Sequence, residues 1–144
     1  MIEWIASHKI FAAVMLAAII SQSTKIILNT LRDKKGISLA DLVVTGGMPS
    51  THAALVSSLF AVILLETGVS ALTMISVVLF IIVITDSMGV RRTAGEEAKA
   101  VNEIIKIEKL KLPMMHYSLG HKPIEVLVGI TIGFFIGISI WFIL

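Results

Sequence analysis

The sequence predicts an all-α integral membrane protein. It has about four transmembrane helices and a cytoplasmic amphipathic helix between spans three and four, in a single domain over residues 1–144. Three observations carry this reading. Of 144 residues, 56% are hydrophobic and only 15% charged, and the mean hydropathy is +0.96. A soluble domain of that length has too little interior to hide so much apolar surface. The apolar residues also fall in runs of membrane-spanning length. Finally, the basic residues collect in the connections between those runs. Backbone in lipid must satisfy its own hydrogen bonds, so each run reads as a helix.

Span one runs from about Trp4 to Leu31. It reads as a retained helix and not a signal peptide: Glu3 leads it, Lys9 is its only early basic residue, and no small-x-small cleavage site follows. Span two runs from about Ser50 to Leu65 and span three from about Ser70 to Thr85. Both are near the lower length limit for a core of ~30 Å. Glu66–Val69 joins them tightly, with Gly68 as the C-cap. The next connection holds GEEAKAVNEIIKIEKLKL, and Ala94 just before it with Ala98, Val101, Ile104 and Ile105 within it follow helical spacing. Glu96 and Glu97 open this stretch and Lys106, Lys109 and Lys111 close it, in the sense that suits the helix dipole. It is expected to lie on the membrane surface. Span four runs from about Pro123 to Phe142 and carries Gly129, Gly133 and Gly137. That ladder permits close helix packing, either within the subunit or across a homodimer seam.

The two longer connections contain Arg32, Lys34, Lys35, Arg91, Arg92, Lys99, Lys106, Lys109, Lys111 and Lys122, whereas the short one has no Lys or Arg. Basic loops stay in the cytoplasm, so the expectation is a multi-pass protein of the cell (inner) membrane with both termini outside. Trp4 and Trp141 would then share the outer interface, where tryptophan is favoured. The chain has no cysteine, which excludes disulfides and thiolate metal sites. A formal charge of +2 gives no reason to expect a nucleic-acid partner.

Four polar clusters stand out at the cytoplasmic ends of the spans. In span one Gln22, Lys25, Asn29 and Arg32 form a single stripe. A charge at the bilayer centre costs about 2.5–3.5 kcal/mol. Lys25 alone could snorkel, but the stripe implies a wet pocket or a polar partner. In GGMPSTHAAL, Ser50 or Thr51 caps span two, so His52 sits at a helix N-terminus whose free N–H groups attract phosphate. Arg91 and Arg92 follow span three, with Asp86 placed to orient one of them or cap the helix end. Each arginine serves equally well as a positive-inside anchor or as a phosphate ligand. In LGHKPIEVLVG, His121 and Glu125 are four apart on one helix face, and a carboxylate there would fix the imidazole tautomer. Glu125 could instead cap the first turn behind Pro123. A His/Glu metal pair is the rival reading. Four histidines and no cysteine do not make a closed zinc site, while carboxylate-held Mg²⁺ stays open. Cations, two histidines and a helix N-terminus at one depth suit binding and transfer of a phosphoryl group.

These motifs resemble the type-2 phosphatidic acid phosphatase and vanadium haloperoxidase superfamily, and more closely its divergent membrane branch. Lys25 and Arg32 keep the spacing of the first superfamily block, with Asp33 where the pattern has proline. Pro49-Ser50-Thr51-His52 is similar to the second block, with Thr51 where it has glycine. His121-Lys122-Pro123-Ile124-Glu125-Val126 is similar to the second half of the third, with Glu125 for aspartate. The arginine half is displaced to Arg91 or Arg92. The resemblance implies that His121 attacks phosphorus, Glu125 holds the imidazole and His52 protonates the leaving alkoxide. Lys25, Arg32, Ser50, Thr51 and Arg91 or Arg92 would bind phosphate, with Asn29 and Asp86 in support and with no metal or cofactor. The implied partner is a phospholipid or polyprenyl phosphate, such as phosphatidic acid or phosphatidylglycerophosphate, reached from the cytoplasmic face. The alternative is a non-catalytic membrane protein that binds or translocates such a lipid.

Overall fold

The computed structural model describes residues 2–33 (side chains 8–32), 47–115, 117 and 120–144. Lys34, Lys35 and Gly46, and the side chain of Trp4, lie outside these residues. The described chain is all-α: α1 (Ile2–Asp33), α2 (Thr51–Thr67), α3 (Ala71–Met88), α4 (Val90–Ile107) and α5 (Pro123–Ile143). This is the all-α membrane protein with about four membrane helices that the hydropathy predicts. By length and composition α1, α3 continuing into α4, and α5 are long and apolar enough to cross a bilayer. The fourth, α2, has 17 residues, about 25 Å at 1.5 Å per residue.

The punctuation between helices follows local chemistry. Ser50 caps α2, its hydroxyl accepting the Ala53 N–H at 3.4 Å. Gly68 ends α2 at φ 60°, and its N–H reaches Leu64 O at 2.9 Å. That left-handed conformation suits glycine. Ser70 then caps α3, and the hydroxyls of Thr67, Ser70 and Thr73 knot the turn at 2.9–3.1 Å.

Helix α2 is the hub, packing on α1, α3 and α5, and most extensively on α5. Its closeness to α5 comes from the glycine ladder. A Cβ at Gly129 would stand 2.4 Å from Ser50 O, one at Gly133 2.2 Å from Ala54 O, and one at Gly137 2.8 Å from Ser58 O. The matched order of these contacts means that α2 and α5 run parallel. Of the two uses the ladder permits, the structure shows packing within the subunit; these three glycines are buried under α2, so a homodimer seam would need another face. Phe60, Phe80 and Phe134 join α2, α3 and α5 with ring centroids 5.9–6.3 Å apart.

At one end of the bundle, Glu66 Oε2 accepts the Trp141 indole N–H at 3.1 Å and meets Lys9 Nζ at 3.6 Å. Three helices are tied there, and Trp141 has a hydrogen-bonding role beyond an interfacial one. At the other end lie the C-terminal parts of α1 and α3 and the N-termini of α2 and α5.

Helix α4 departs from the sequence expectation. It begins at Val90, directly after Gly89, and ends at Ile107, so Lys109 and Lys111 lie beyond it. Its buried stripe is Gly95, Ala98, Asn102 and Ile105, whereas Val101 and Ile104 are exposed. The phase is set by the returning chain. Asn102 Nδ2 donates to Met115 O at 2.9 Å, and Asn102 Oδ1 accepts the Met115 N–H at 2.8 Å.

Because the ladder has no space for a side chain, Gly133→Leu should destabilise the protein by at least the ~1–3 kcal/mol of ordinary core overpacking. Phe135→Leu, at a neighbouring position 73% exposed, should change little. Thermal unfolding of the two variants in detergent checks the contrast.

Candidate active site

The parallel seam brings two helix N-termini side by side. The Ser50 N–H donates to Glu125 O at 3.0 Å, linking the start of α2 to the first turn of α5. Backbone N–H groups at such ends have no intrahelical acceptor and carry the positive end of the dipole. Ser50 itself is fully buried as a cap, so its hydroxyl serves the helix. The Thr51 hydroxyl donates to Gln22 Oε1 at 2.9 Å. The polar stripe of α1 therefore has a polar partner, the entrance to α2. Asn29 lies about two turns further along α1, against Gly47, where a Cβ would stand 3.4 Å from Asn29 Oδ1.

Lys25 is 2% exposed. Among the described residues no carboxylate lies within ion-pair distance of it, though Glu125 is within electrostatic reach. His52 is exposed and lies within electrostatic reach of Arg91, His121, Lys25 and Asp86. The structure thus brings together residues from α1, α2, the α3–α4 junction and the entry to α5.

His121 is the most constrained member, with 4% exposure. Its N–H donates to Ser87 O at 3.1 Å, which anchors it to the end of α3. Its Nδ1 lies 3.1 Å from Glu125 Oε2, and the same oxygen accepts the Lys122 N–H at 3.1 Å. Glu125 therefore does both things expected of it: it caps α5 and holds the imidazole. With an ionised Glu125 the proton sits on Nδ1, leaving the Nε2 lone pair free. Burial pushes the His121 pKa below the usual histidine range. The Glu125 hydrogen bond pulls it up, while Lys25 and Arg91 push it further down. The neutral, nucleophilic form is favoured near pH 7.

The two arginines separate. Arg91 Nη2 meets Asp86 Oδ2 at 3.0 Å, and Arg91 is the arginine that both histidines sense. Arg92 turns to Glu96 at 3.0 Å on the flank of α4. Its backbone backs onto Gly120, where a Cβ would meet Arg92 N at 2.5 Å. Arg32 is exposed in the last turn of α1, and no described contact draws it to the histidines. Among the described residues no three His, Asp or Glu side chains converge as metal ligands.

The sequence profile of the Divergent PAP2 family, the branch of type-2 phosphatidic acid phosphatase relatives, matches residues 6–136. The chain belongs to this family. It is also similar to the uncharacterized membrane protein YuiD of Bacillus subtilis (strain 168), with 38% identity over 101 residues. The match takes in 59% of this chain and 64% of YuiD, so it spans just under two thirds of that relative. No solved structure matches the chain.

Sequence reasoning missed three contributors to the candidate site. Gln22 was placed in the stripe but not paired with Thr51. The Ser87 carbonyl carries no side-chain signal at all. Gly120 could have been found, since a glycine directly before the candidate nucleophile marks close backbone approach.

A buried histidine kept neutral links stability to pH. Its folded pKa lies below its unfolded value, so its contribution is complete above the unfolded pKa of ~6.5 and is lost as pH falls. The melting temperature in detergent should drop between about pH 7 and pH 5, and His121→Asn should shrink that drop.

Proposed function

We propose that this protein is a membrane phosphatase acting on a lipid phosphate, either a phosphomonoester or a pyrophosphate, through a phospho-histidine. The observation that carries the reading is the His121–Glu125 contact at 3.1 Å. It leaves a neutral imidazole with a free Nε2 among the positive charges of Lys25 and Arg91. Family membership supports the reaction class.

In this reading Nε2 attacks phosphorus, the N–P bond forms and the P–O bond to the lipid breaks. His52 gives its proton to the departing alkoxide. It then takes a proton from a water that attacks the phospho-histidine, releasing inorganic phosphate and restoring both imidazoles. Glu125 stabilises the charge that His121 gains on attack. Lys25, Arg91 and the Thr51 and His52 N–H groups face the phosphoryl oxygens. Asp86 orients Arg91. Arg32 and Arg92 are assigned lesser parts, Arg32 because of its exposure and Arg92 because of its pairing with Glu96. That smaller cation set also favours the second reading, a protein that binds or moves the lipid phosphate without turnover.

Vanadate, which mimics pentacoordinate phosphorus, should bind the wild type and not His121→Ala. His121→Ala should also abolish phospho-histidine trapped from a labelled lipid phosphate, and His52→Ala should slow turnover by roughly 10²–10⁴-fold. Vanadate binding with no phospho-histidine and no released phosphate would select the second reading.

The proposed orientation puts the site and α4 in the cytoplasm of the cell membrane, with both termini outside. Because the chain has no cysteine, one introduced as Lys109→Cys reports topology alone. It should resist an impermeant maleimide in intact cells and react once the membrane is opened; labelling in intact cells would reverse the orientation.

A further inference from the structure

We infer that the groove between α3 and α5 holds a hydrocarbon chain of the phosphorylated lipid, which makes it the element that selects long-chain substrates. This rests on the lipid-phosphate reading of the site and adds where the lipid tail goes. The groove has a volume of about 450 Å³ and is lined by Ile84 and Met88 of α3 with Pro123, Ile124, Leu127 and Ile130 among the α5 residues. That volume lies within the ~300–1,000 Å³ range of small-molecule pockets. It exists because α5 packs closely on α2 and α1 but meets α3 only sparsely.

One end of the groove lies next in the chain to residues of the proposed phosphate site. Met88 follows Ser87, whose carbonyl takes the His121 N–H at 3.1 Å. Pro123 stands two residues after His121. From there Leu127 and Ile130 lead one and two turns along α5, about 10 Å, while Ile84 lies one turn back along the antiparallel α3. A lipid held by its phosphate at the bilayer surface must send its chain into the hydrocarbon, and this cleft gives it an apolar path starting beside the nucleophile. Ile124 and Leu127 are each 57% exposed, so the path is open sideways to lipid.

The test compares kcat/KM on dioleoyl phosphatidic acid in mixed micelles with that on p-nitrophenyl phosphate. Ile124→Trp and Leu127→Trp fill the groove from positions that tolerate bulk. Each should lower the ratio of the two values at least ~10-fold, whereas Ile138→Trp, on α5 outside the groove, should leave it unchanged. If either tryptophan variant does not fold, Leu127→Ala should shift the preference among phosphatidic acids towards bulkier chains. A photoactivatable diazirine in the acyl chain should crosslink to α3 or α5 groove residues even in His121→Ala. Unchanged ratios with active wild type would overturn the groove assignment and leave the phosphatase reading intact. A changed oligomeric state with unchanged ratios would give the groove to a second copy and also overturn it. Wild type inactive on both phosphates would remove the phosphatase reading and this inference together.

Discussion

The contact on which the rest depends is the side-chain-free seam between α2 and α5. Three glycines of α5 lie against the carbonyls of Ser50, Ala54 and Ser58. In lipid there is no hydrophobic drive to hold helices together, so association relies on van der Waals contact, and small residues allow the closest approach. Here the seam also has a direction. Because the two helices run parallel, their N-termini end together, and the Ser50 N–H reaches Glu125 O. Parallel dipoles side by side repel, and an anion at their shared positive end relieves that repulsion. The geometry that packs the bundle therefore creates the positive end where the proposed function would place phosphate.

The electrostatics of the site follow from that arrangement. Lys25 is a cation buried within a membrane helix, and Glu125, its carboxylate within electrostatic reach, is already occupied with His121 and the Lys122 N–H. Arg91 is shared with Asp86. Lys25 and Arg91 are matched in number by Glu125 and Asp86, so the pull on an anion in the proposed reaction comes from the two helix N-termini that end beside them. Burial keeps His121 neutral, and Lys25 and Arg91 add to the effect. A protonated imidazole would add a further cation beside Lys25 and Arg91, so in the proposed mechanism the cations that would bind phosphate also favour the reactive form of His121.

Much of this was legible in the sequence, for identifiable reasons. Span positions followed from hydropathy, and the cap residues Ser50 and Gly68 act as their chemistry requires. The His121/Glu125 pair was readable because i, i+4 spacing is a property of the helix and not of the tertiary fold. The use of the glycine ladder was not, since a GxxxGxxxG face looks the same to a neighbour within the chain and to a second copy. Nor was the phase of α4. Its apolar positions allowed two faces, and the choice fell to the Asn102–Met115 hydrogen bonds, which depend on a segment without helical periodicity. Arg32 shares a helix face with Lys25, but spacing alone could not reveal that it emerges exposed one turn beyond the stripe's last buried contact.

The arrangement of Arg91 and Arg92 shows how a displaced arginine can still be brought to the candidate site. Consecutive helical residues point about 100° apart, so only one of two adjacent arginines can face a given site. Gly89 breaks the path between α3 and α4 and sets that rotation, Asp86 then holds Arg91, and Glu96 draws Arg92 aside. The chain returning from α4 must still deliver His121 to the same place. It does so by pressing Gly120 onto the Arg92 backbone and bonding the His121 N–H to Ser87 O. An arginine and a histidine thirty positions apart are thereby held in fixed relation by two backbone contacts.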